Sequence, residues 1–197
     1  MAIDFPSRWA PEHPDRIQLY SLPTPNGQKA GIVLEELGLP YEAHRIDIMA
    51  GDQFDPEYVA INPNSKIPSI IDPNGPGGKK IALMESAAIL LYLSEKAGGA
   101  LNPAEHRWET LEWLSFQIAS VGPFFGQFGH FHKFARDKTT DDYALKRYTA
   151  EAKRLLGVLN ARLEGRAYLV GETFTIADIA TFPWVKALNF YEGKEAL

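Results

Sequence analysis

The chain has 197 residues, enough to bury a core in one domain or in two small ones. Its formal net charge of -5 argues against a nucleic-acid-binding protein, because a phosphate backbone requires a basic surface. No apolar run reaches the ~20 residues of a membrane-spanning helix, so no membrane partner is expected. The first residues are acidic and broken by Pro6, unlike a secretory signal, which predicts a cytoplasmic protein.

The absence of cysteine is a second constraint on chemistry. It excludes structural disulfides, a Cys-X-X-Cys redox pair and a zinc site with thiolate ligands. If the protein acts on thiols, the sulfur atoms must therefore belong to its ligands.

The first half of the chain alternates short strands with helices. The predicted elements are an arm at 1–16, a strand at 17–20, a helix ending at Gly38, a strand at 41–48, a short helix at 55–61, strands at 69–71 and 80–83, and a helix from Ser86 to 97. We expect the proline-rich arm to pack either on the body of the protein or on a partner subunit. The order β-α-β-α-β-β-α is typical of one compact α/β unit, which we place at 17–97.

The pattern changes after residues 98–103, which we interpret as a linker. Every later segment with a clear period is helical, at 108–118, 143–163 and 176–191. We therefore expect an all-helical second domain at 104–197.

A capping box marks the start of the last helix. Thr175 and Asp178 stand at its N-cap and third positions, and Phe174 and Ile179 stand where a hydrophobic staple would pack. This pattern predicts helix initiation and indicates no chemistry.

The loop at residues 21–29 is the first candidate site. Pro23 and Pro25 restrict its backbone, Thr24 offers a hydroxyl, and Asn26 offers an amide beside the first N–H groups of a helix. Such a helix start attracts an anion, whether phosphate, carboxylate or thiolate.

Five segments carry a resemblance to a known family: residues 23–27, 51–54, 62–70, 84–89 and 121–127. Together with the order of elements, they resemble the glutathione transferases, and in particular the nu-class branch. Members of that branch reduce disulfides with glutathione and lack the catalytic tyrosine, serine or cysteine of other classes. The resemblance spans about residues 17–197 and implies a thioredoxin-like α/β domain followed by an all-α domain. It also implies glutathione as co-substrate, no metal, a homodimer, and a chain that is short at its C-terminus.

The resemblance assigns the sulfur of glutathione to Thr24 and Asn26. Both can donate hydrogen bonds to a thiolate, and such contacts lower the pKa of a thiol. Ser21 and Tyr20 are rival sulfur ligands, because other classes use serine or tyrosine near this point. Tyr20 lies inside a predicted strand, where its side chain is expected in the core.

The resemblance also assigns residues to the peptide part of glutathione. A cis bond is expected between Ile67 and Pro68, with the Ile67 backbone pairing with the cysteinyl residue. Glu85 would bind the γ-glutamyl ammonium, and Ser86 the neighbouring carboxylate. The remaining members of the set are Gln53 and Lys66 for the glycyl carboxylate, and Arg147, contributed in related proteins by the partner subunit.

The segment at 124–134 carries five phenylalanines and two readings remain open for it. It lines a pocket for a second glutathione or an apolar co-substrate, or it forms aromatic core between helices. Gly126 and Gln127 near Pro123 indicate a helix break facing the cleft. His130 and His132 do not make a zinc site without further ligands.

The function favoured by these observations is glutathione-dependent disulfide reduction, with two glutathiones acting in sequence. Two alternatives remain. The same thiolate could conjugate glutathione to electrophiles as its main reaction, or the protein could bind glutathione and regulate a partner without catalysis.

Overall fold

The computed structural model describes residues 4–138 and 140–197. The chain forms two compact units, the first ending at Ala100 and the second beginning at Leu101. The first unit is a four-stranded sheet with helices, and the second is helical. This architecture confirms the predicted fold class.

The first unit follows the predicted order of strands and helices. Its elements are β1 (Ile17–Ser21), α1 (Pro25–Glu36), β2 (Tyr41–Arg45), α2 (Pro56–Ile61), β3 (Ser69–Asp72), β4 (Ile81–Met84) and α3 (Ser86–Lys96). The sheet order is β2-β1-β3-β4, with β1 parallel to β2 and the other pairs antiparallel. β1 is central, which agrees with its nearly continuous burial.

β2 is shorter than the predicted strand at 41–48. The carboxylate of Asp47 accepts hydrogen bonds from the backbone N–H groups of Met49 and Ala50, at 3.0 and 3.4 Å. An aspartate that bonds to the backbone two residues ahead initiates a turn, so the chain leaves the sheet at this point.

Local caps define the helices near the site. Thr24 caps α1, with Pro25 in its first turn, and Asp55 caps α2 through the N–H of Glu57. Gly38 has a φ of 61°, a conformation that glycine adopts without steric cost, and it follows the end of α1.

The arm packs on the first unit. Phe5 and Trp9 contact a buried cluster that includes Tyr20 and Tyr58. Arg8 forms a 2.5 Å ion pair with Asp52. These contacts place the described part of the arm, from residue 4, on the body of its own chain.

The elements of the second unit are α4 (Arg107–Phe116), α5 (Gly122–Gly129), α6 (Tyr143–Leu163) and α7 (Ile176–Phe190), with wide π-helical turns at Gln117–Val121 and His130–Phe134. The sequence analysis did not predict α5. The chain is thus helical across the whole of 107–134.

The expected helix break near Gly126 was therefore wrong. Pro123 lies in the first turn of α5, directly after a π-helical turn, where a missing N–H is tolerated. Gly126 allows close packing instead, because a Cβ there would lie 3.3 Å from the Trp184 ring.

The capping box at Thr175 and Asp178 is confirmed, with both reciprocal hydrogen bonds present at the start of α7. Within residues 4–138 and 140–197, no helix combines the length and apolar character needed to cross a bilayer.

Candidate functional site

A cavity of about 270 Å³ opens in the first unit where three segments meet. They are the start of α1, the loop before β3 and the start of α3. The lining residues are Asn26, Asn62, Asn64, Lys66, Ile67, Pro68, Glu85 and Ser86. We call this the glutamyl–sulfur cavity, after the two parts of glutathione to which the sequence analysis assigns its residues.

The first wall of the cavity is the N-terminal turn of α1. Asn26 is the second residue of this helix and lines the cavity. The Oγ1 atom of Thr24 accepts a hydrogen bond from the Gly27 N–H at 3.2 Å, so the cap uses the hydroxyl as an acceptor. The hydroxyl proton can still be donated to an anion. This turn therefore presents the Asn26 side chain and the positive end of a helix dipole to the cavity, while Thr24, two residues earlier, is not among the lining residues.

Gly27 shapes this turn. A Cβ at this position would lie 1.9 Å from the Leu22 carbonyl oxygen and 2.6 Å from the Ser21 hydroxyl oxygen. Only glycine allows the loop to fold so closely over the helix start, and this close fold fixes where Thr24 and Asn26 stand.

The second wall is the loop with the cis bond between Ile67 and Pro68, which confirms the expected isomer. The Lys66 carbonyl accepts hydrogen bonds from the Tyr58 hydroxyl at 2.5 Å and from Asn62 Nδ2 at 2.6 Å. Both donors also contact the Ser69 hydroxyl, at 3.1 and 2.9 Å. Burial raises the pKa of Tyr58, so its hydroxyl stays protonated and able to donate.

This network holds the loop without using the backbone of Ile67. Neither its N–H nor its carbonyl forms a hydrogen bond with any residue in the described part of the chain. Both groups can therefore pair with the backbone of an extended peptide, as in the addition of a strand.

The third wall is the start of α3. Glu85 has a φ of 68°, an unfavourable conformation for a residue with a side chain, and such residues cluster at functional sites. Its carboxylate is exposed and accepts a 3.3 Å hydrogen bond from Asn64 Nδ2. Ser86 is buried in the first turn of α3. A carboxylate beside a helix N-terminus suits a ligand that carries both an ammonium and a carboxylate.

Lys29 lies behind the third wall. It is a residue of α1 with 0% of its surface exposed, and its Nζ donates to the Ser86 hydroxyl at 3.3 Å. Burial lowers the pKa of Lys29 to about 7, against the opposing effect of the Glu85 carboxylate. In the sequence this lysine resembles any surface residue of a helix, so no signal pointed to it.

Comparison with family models identifies the family of the chain. The family model of the glutathione S-transferase N-terminal domain matches residues 24–96, and that of the C-terminal domain matches 120–196. The chain belongs to the glutathione S-transferase family. This confirms the resemblance read from the sequence.

Two similar proteins come from Escherichia coli strain K12. Disulfide-bond oxidoreductase YfcG is 47% identical over 173 residues, which cover 87% of this chain and 80% of YfcG. Disulfide-bond oxidoreductase YghU is 47% identical over 181 residues, which cover 88% of this chain and 60% of YghU. The named activity of both relatives is disulfide-bond chemistry.

Two solved glutathione transferases have closely similar structures. The one from Pseudomonas fluorescens Pf-5, with two glutathiones bound, has a TM-score of 0.92 and 54% identity, covering 95% of this chain and 84% of its own. The one from Pseudomonas putida, with one glutathione disulfide bound per subunit, has a TM-score of 0.92 and 50% identity, covering 95% and 82%.

Within this transferase fold, most of the predicted site residues come together. Asn26, Lys66, Ile67, Pro68, Glu85 and Ser86 line one cavity. Thr24 stands two residues before Asn26, as the cap of α1. The sequence analysis missed Asn62, Asn64 and Lys29. The first two lie inside the recognised segment at 62–70, which was the available signal for them.

Two predicted residues lie elsewhere. Gln53 belongs to the short helix Asp52–Phe54 and is absent from the cavity lining. Its Nε2 donates to the Ile48 carbonyl at 3.3 Å, and its buried Oε1 has no hydrogen-bond partner among the described residues. Arg147 is an exposed residue of α6 in the second unit.

The rival sulfur ligands do not line the cavity. Tyr20 is fully buried and stacks on His44 with ring centroids 4.8 Å apart, and burial raises the pKa of its hydroxyl. Ser21 lines a different space of about 420 Å³, which extends to Arg45 at the end of β2. Asn26 is thus the residue of the 21–29 loop that reaches the glutamyl–sulfur cavity.

The aromatic segment at 124–134 contributes two phenylalanines to the core of the second unit, whereas its Phe134 is 53% exposed. Phe125 and Phe128 are fully buried in the second unit. Phe131 stacks on Tyr148 at 5.4 Å, and His132 stacks on Phe128 at 4.9 Å. Across residues 4–138 and 140–197, no three His, Asp or Glu side chains form a group suited to a metal ion.

Proposed function

We propose that this protein binds glutathione in the glutamyl–sulfur cavity and uses the glutathione thiolate to reduce disulfide bonds. The observation that carries the proposal is the cavity itself. It joins the start of α1 at Asn26, the free backbone of Ile67 and the start of α3 at Glu85. Asn26 suits the sulfur of glutathione, the Ile67 backbone suits its peptide backbone, and Glu85 suits its γ-glutamyl ammonium.

In the proposed complex, the two ends of glutathione contact different residues. Glu85 binds the γ-glutamyl ammonium, and Ser86 with the first N–H groups of α3 binds the adjacent carboxylate. The cysteinyl residue pairs with the backbone of Ile67 beside cis-Pro68. The glycyl carboxylate lies toward Lys66 and Gln53.

The sulfur then lies against the first turn of α1. The Thr24 hydroxyl and the Asn26 amide donate hydrogen bonds to the thiolate, and the helix dipole adds positive potential. Each contact favours the charged form and lowers the pKa of the thiol. This matters because the thiolate is the nucleophile in disulfide exchange.

The reaction proceeds by two exchanges. The bound thiolate attacks one sulfur of a disulfide RSSR, forms GSSR and releases RS⁻, which takes up a proton. A second glutathione thiolate attacks GSSR and yields GSSG and a second RS⁻. Two glutathiones are thereby oxidised while one disulfide is reduced to two thiols. The chain needs no cysteine of its own, since both nucleophiles arrive as ligands.

Comparison with relatives supports this order of events. The Pseudomonas fluorescens protein holds two glutathiones, and the Pseudomonas putida protein holds glutathione disulfide, the product that the second exchange would leave. The named activity of the two Escherichia coli relatives favours disulfide reduction over conjugation to electrophiles.

The proposal extends to assembly and location. We propose a cytoplasmic homodimer in which Arg147 of the partner subunit reaches the bound glutathione. We also propose that residues 17–97 act as the glutathione-binding domain and residues 104–197 as the helical domain.

The test is glutathione-dependent reduction of bis(2-hydroxyethyl) disulfide, coupled to glutathione reductase and NADPH. We expect turnover with one glutathione disulfide formed per disulfide reduced, and much slower conjugation of 1-chloro-2,4-dinitrobenzene. Asn26→Ala should lower this turnover. Its matched control is Ser21→Ala, which should retain turnover because Ser21 does not line the cavity. Conjugation as the dominant activity, or glutathione binding without turnover, would contradict the proposal.

A further inference from the structure

Lys29 is a buried cation to which the proposed reaction assigns no role. Its side chain is fully buried, as are those of Ala30, Val33 and Leu34 on the same helix. Placing an ammonium in a protein interior carries a large desolvation cost unless partners compensate for it. A methionine would fill similar space without that cost, so packing alone does not account for a lysine here.

The position of the ammonium relates it to one end of the cavity. Lys29 Nζ donates to the Ser86 hydroxyl oxygen at 3.3 Å, and Ser86 stands in the first turn of α3. Because Ser86 Oγ accepts from the lysine, its own proton is directed to another acceptor. The Lys29 ammonium therefore contacts the Ser86 hydroxyl, which stands at the N-terminus of α3 and lines the cavity.

We infer that Lys29 is a positioning residue that makes the Ser86 end of the cavity specific for a ligand carboxylate. Its ammonium orients the Ser86 hydroxyl and supplies buried positive charge behind the anion. The ligand group is the α-carboxylate of the γ-glutamyl residue, so the inference rests on the proposed function. A bound carboxylate would in turn add negative charge on the Ser86 side of the Lys29 ammonium.

The electrostatics of Lys29 support this role. Burial lowers its pKa to about 7, and the negative charge of Glu85 opposes that effect. An anion bound at Ser86 would act in the same direction as Glu85 and favour the ammonium. The charged form of Lys29 is therefore disfavoured by burial and favoured by negative charge nearby.

The test compares two ligands on three proteins. The ligands are glutathione and γ-aminobutyryl-cysteinyl-glycine, which keeps the terminal ammonium and lacks only the α-carboxylate. The proteins are wild type, Lys29→Met, and Lys29→Gln, which keeps a hydrogen-bond donor without charge. Dissociation constants are measured by titration calorimetry, and circular dichroism checks the fold of each variant.

We expect Lys29→Met to weaken glutathione binding by about 10- to 100-fold, as for a lost interaction with a charged group. Binding of the analogue should change by less than about threefold. The dissociation constant of Lys29→Gln for glutathione should lie between those of wild type and Lys29→Met. With disulfide as substrate, KM for glutathione should rise while kcat is retained, because Lys29 acts through Ser86, which the proposal assigns to the carboxylate and not to the sulfur.

Equal weakening of both ligands would assign Lys29 a merely structural role and overturn the inference. Loss of the fold in both variants would overturn it in the same way. Failure of the wild-type protein to bind glutathione would instead overturn the proposed function. If wild type binds glutathione and Lys29→Met keeps the wild-type ratio of affinities for glutathione and the analogue, this inference is overturned and the proposed function stands.

Discussion

Replacing Asn26 with alanine should raise the pKa of the bound glutathione thiol. The amide lies in the first turn of α1 and lines the cavity, so in the proposed complex the substitution removes one donor to the thiolate. A hydrogen bond to a charged group contributes about 1.5–3 kcal/mol. At about 1.4 kcal/mol per pKa unit, its loss should raise the thiol pKa by about 1–2 units.

The consequence for the rate depends on pH. On the acidic limb, each unit of raised pKa lowers the thiolate fraction about tenfold, while the thiolate becomes about threefold more nucleophilic. The net loss is about threefold per unit, or about 3- to 10-fold in total. Once the pH exceeds both pKa values the loss should vanish and then reverse, because the thiol is ionised in both proteins and the thiolate in the variant is the stronger nucleophile.

The assay is kcat for disulfide reduction at saturating glutathione, from about pH 5.5 to about pH 9.5. The acidic limb of Asn26→Ala should shift to higher pH relative to wild type. Asn64→Ala is the matched control, since Asn64 lines the same cavity but hydrogen-bonds Glu85. It should raise KM for glutathione and leave the limb in place.

Two results would refute this reasoning. A loss in Asn26→Ala that is equal at every pH would mean that Asn26 positions the sulfur without changing its ionisation. Unchanged kcat at all pH values would remove Asn26 from the mechanism.

Two further predictions concern stability. Thr175→Ala should destabilise the protein by about 0.5–2 kcal/mol through loss of the α7 cap, lowering the thermal midpoint by about 2–4 °C per kcal/mol. Thr175→Ser should retain most of the stability, and an equal drop in both variants would contradict the role of the cap. Burial acts to raise the pKa of Asp72, but hydrogen bonds from Tyr92 and Lys96 outweigh it and hold that pKa below its usual value. The native state therefore gains stability above about pH 4 that is lost as the pH falls through the lowered pKa. In urea unfolding, Asp72→Asn should cost about 1.5–3 kcal/mol at pH 7 and much less near pH 3, and a pH-independent difference would contradict this account.

The elements that could be predicted from the sequence are those with local signals. Thr24 and Pro25 at the start of α1, Gly38 after its end, and the capping box of α7 each act within a few residues. Such signals depend on backbone geometry that a short segment determines by itself.

The segment around α5 could not be predicted in this way. Its glycines and Pro123 resemble a break, yet a Cβ at Gly126 or Gly129 would collide with or crowd the rings of Trp184 and Tyr191 on and beside α7. These glycines reflect contact with residues about sixty positions away in the chain, which no local pattern reports.

The residues of the candidate site also divide into those that have a local signal in the sequence and those that do not. Thr24, Asn26, Glu85 and Ser86 were found because each stands at a helix start inside a recognisable segment. Lys29 was missed because its burial depends on α1 packing against α3, and an isolated lysine on a helix is usually exposed.

The central claim is that the first turn of α1 activates the thiol of bound glutathione. The most direct measurement is the pH titration of thiolate absorbance, near 240 nm, for glutathione bound to the protein, with the ligand-free protein subtracted. The chain has no cysteine, so the thiolate signal belongs to the ligand alone. We predict that the bound thiol titrates well below free glutathione and that Asn26→Ala reverses the shift by about 1–2 pKa units. A bound thiol that titrates as it does in free solution would contradict the claim.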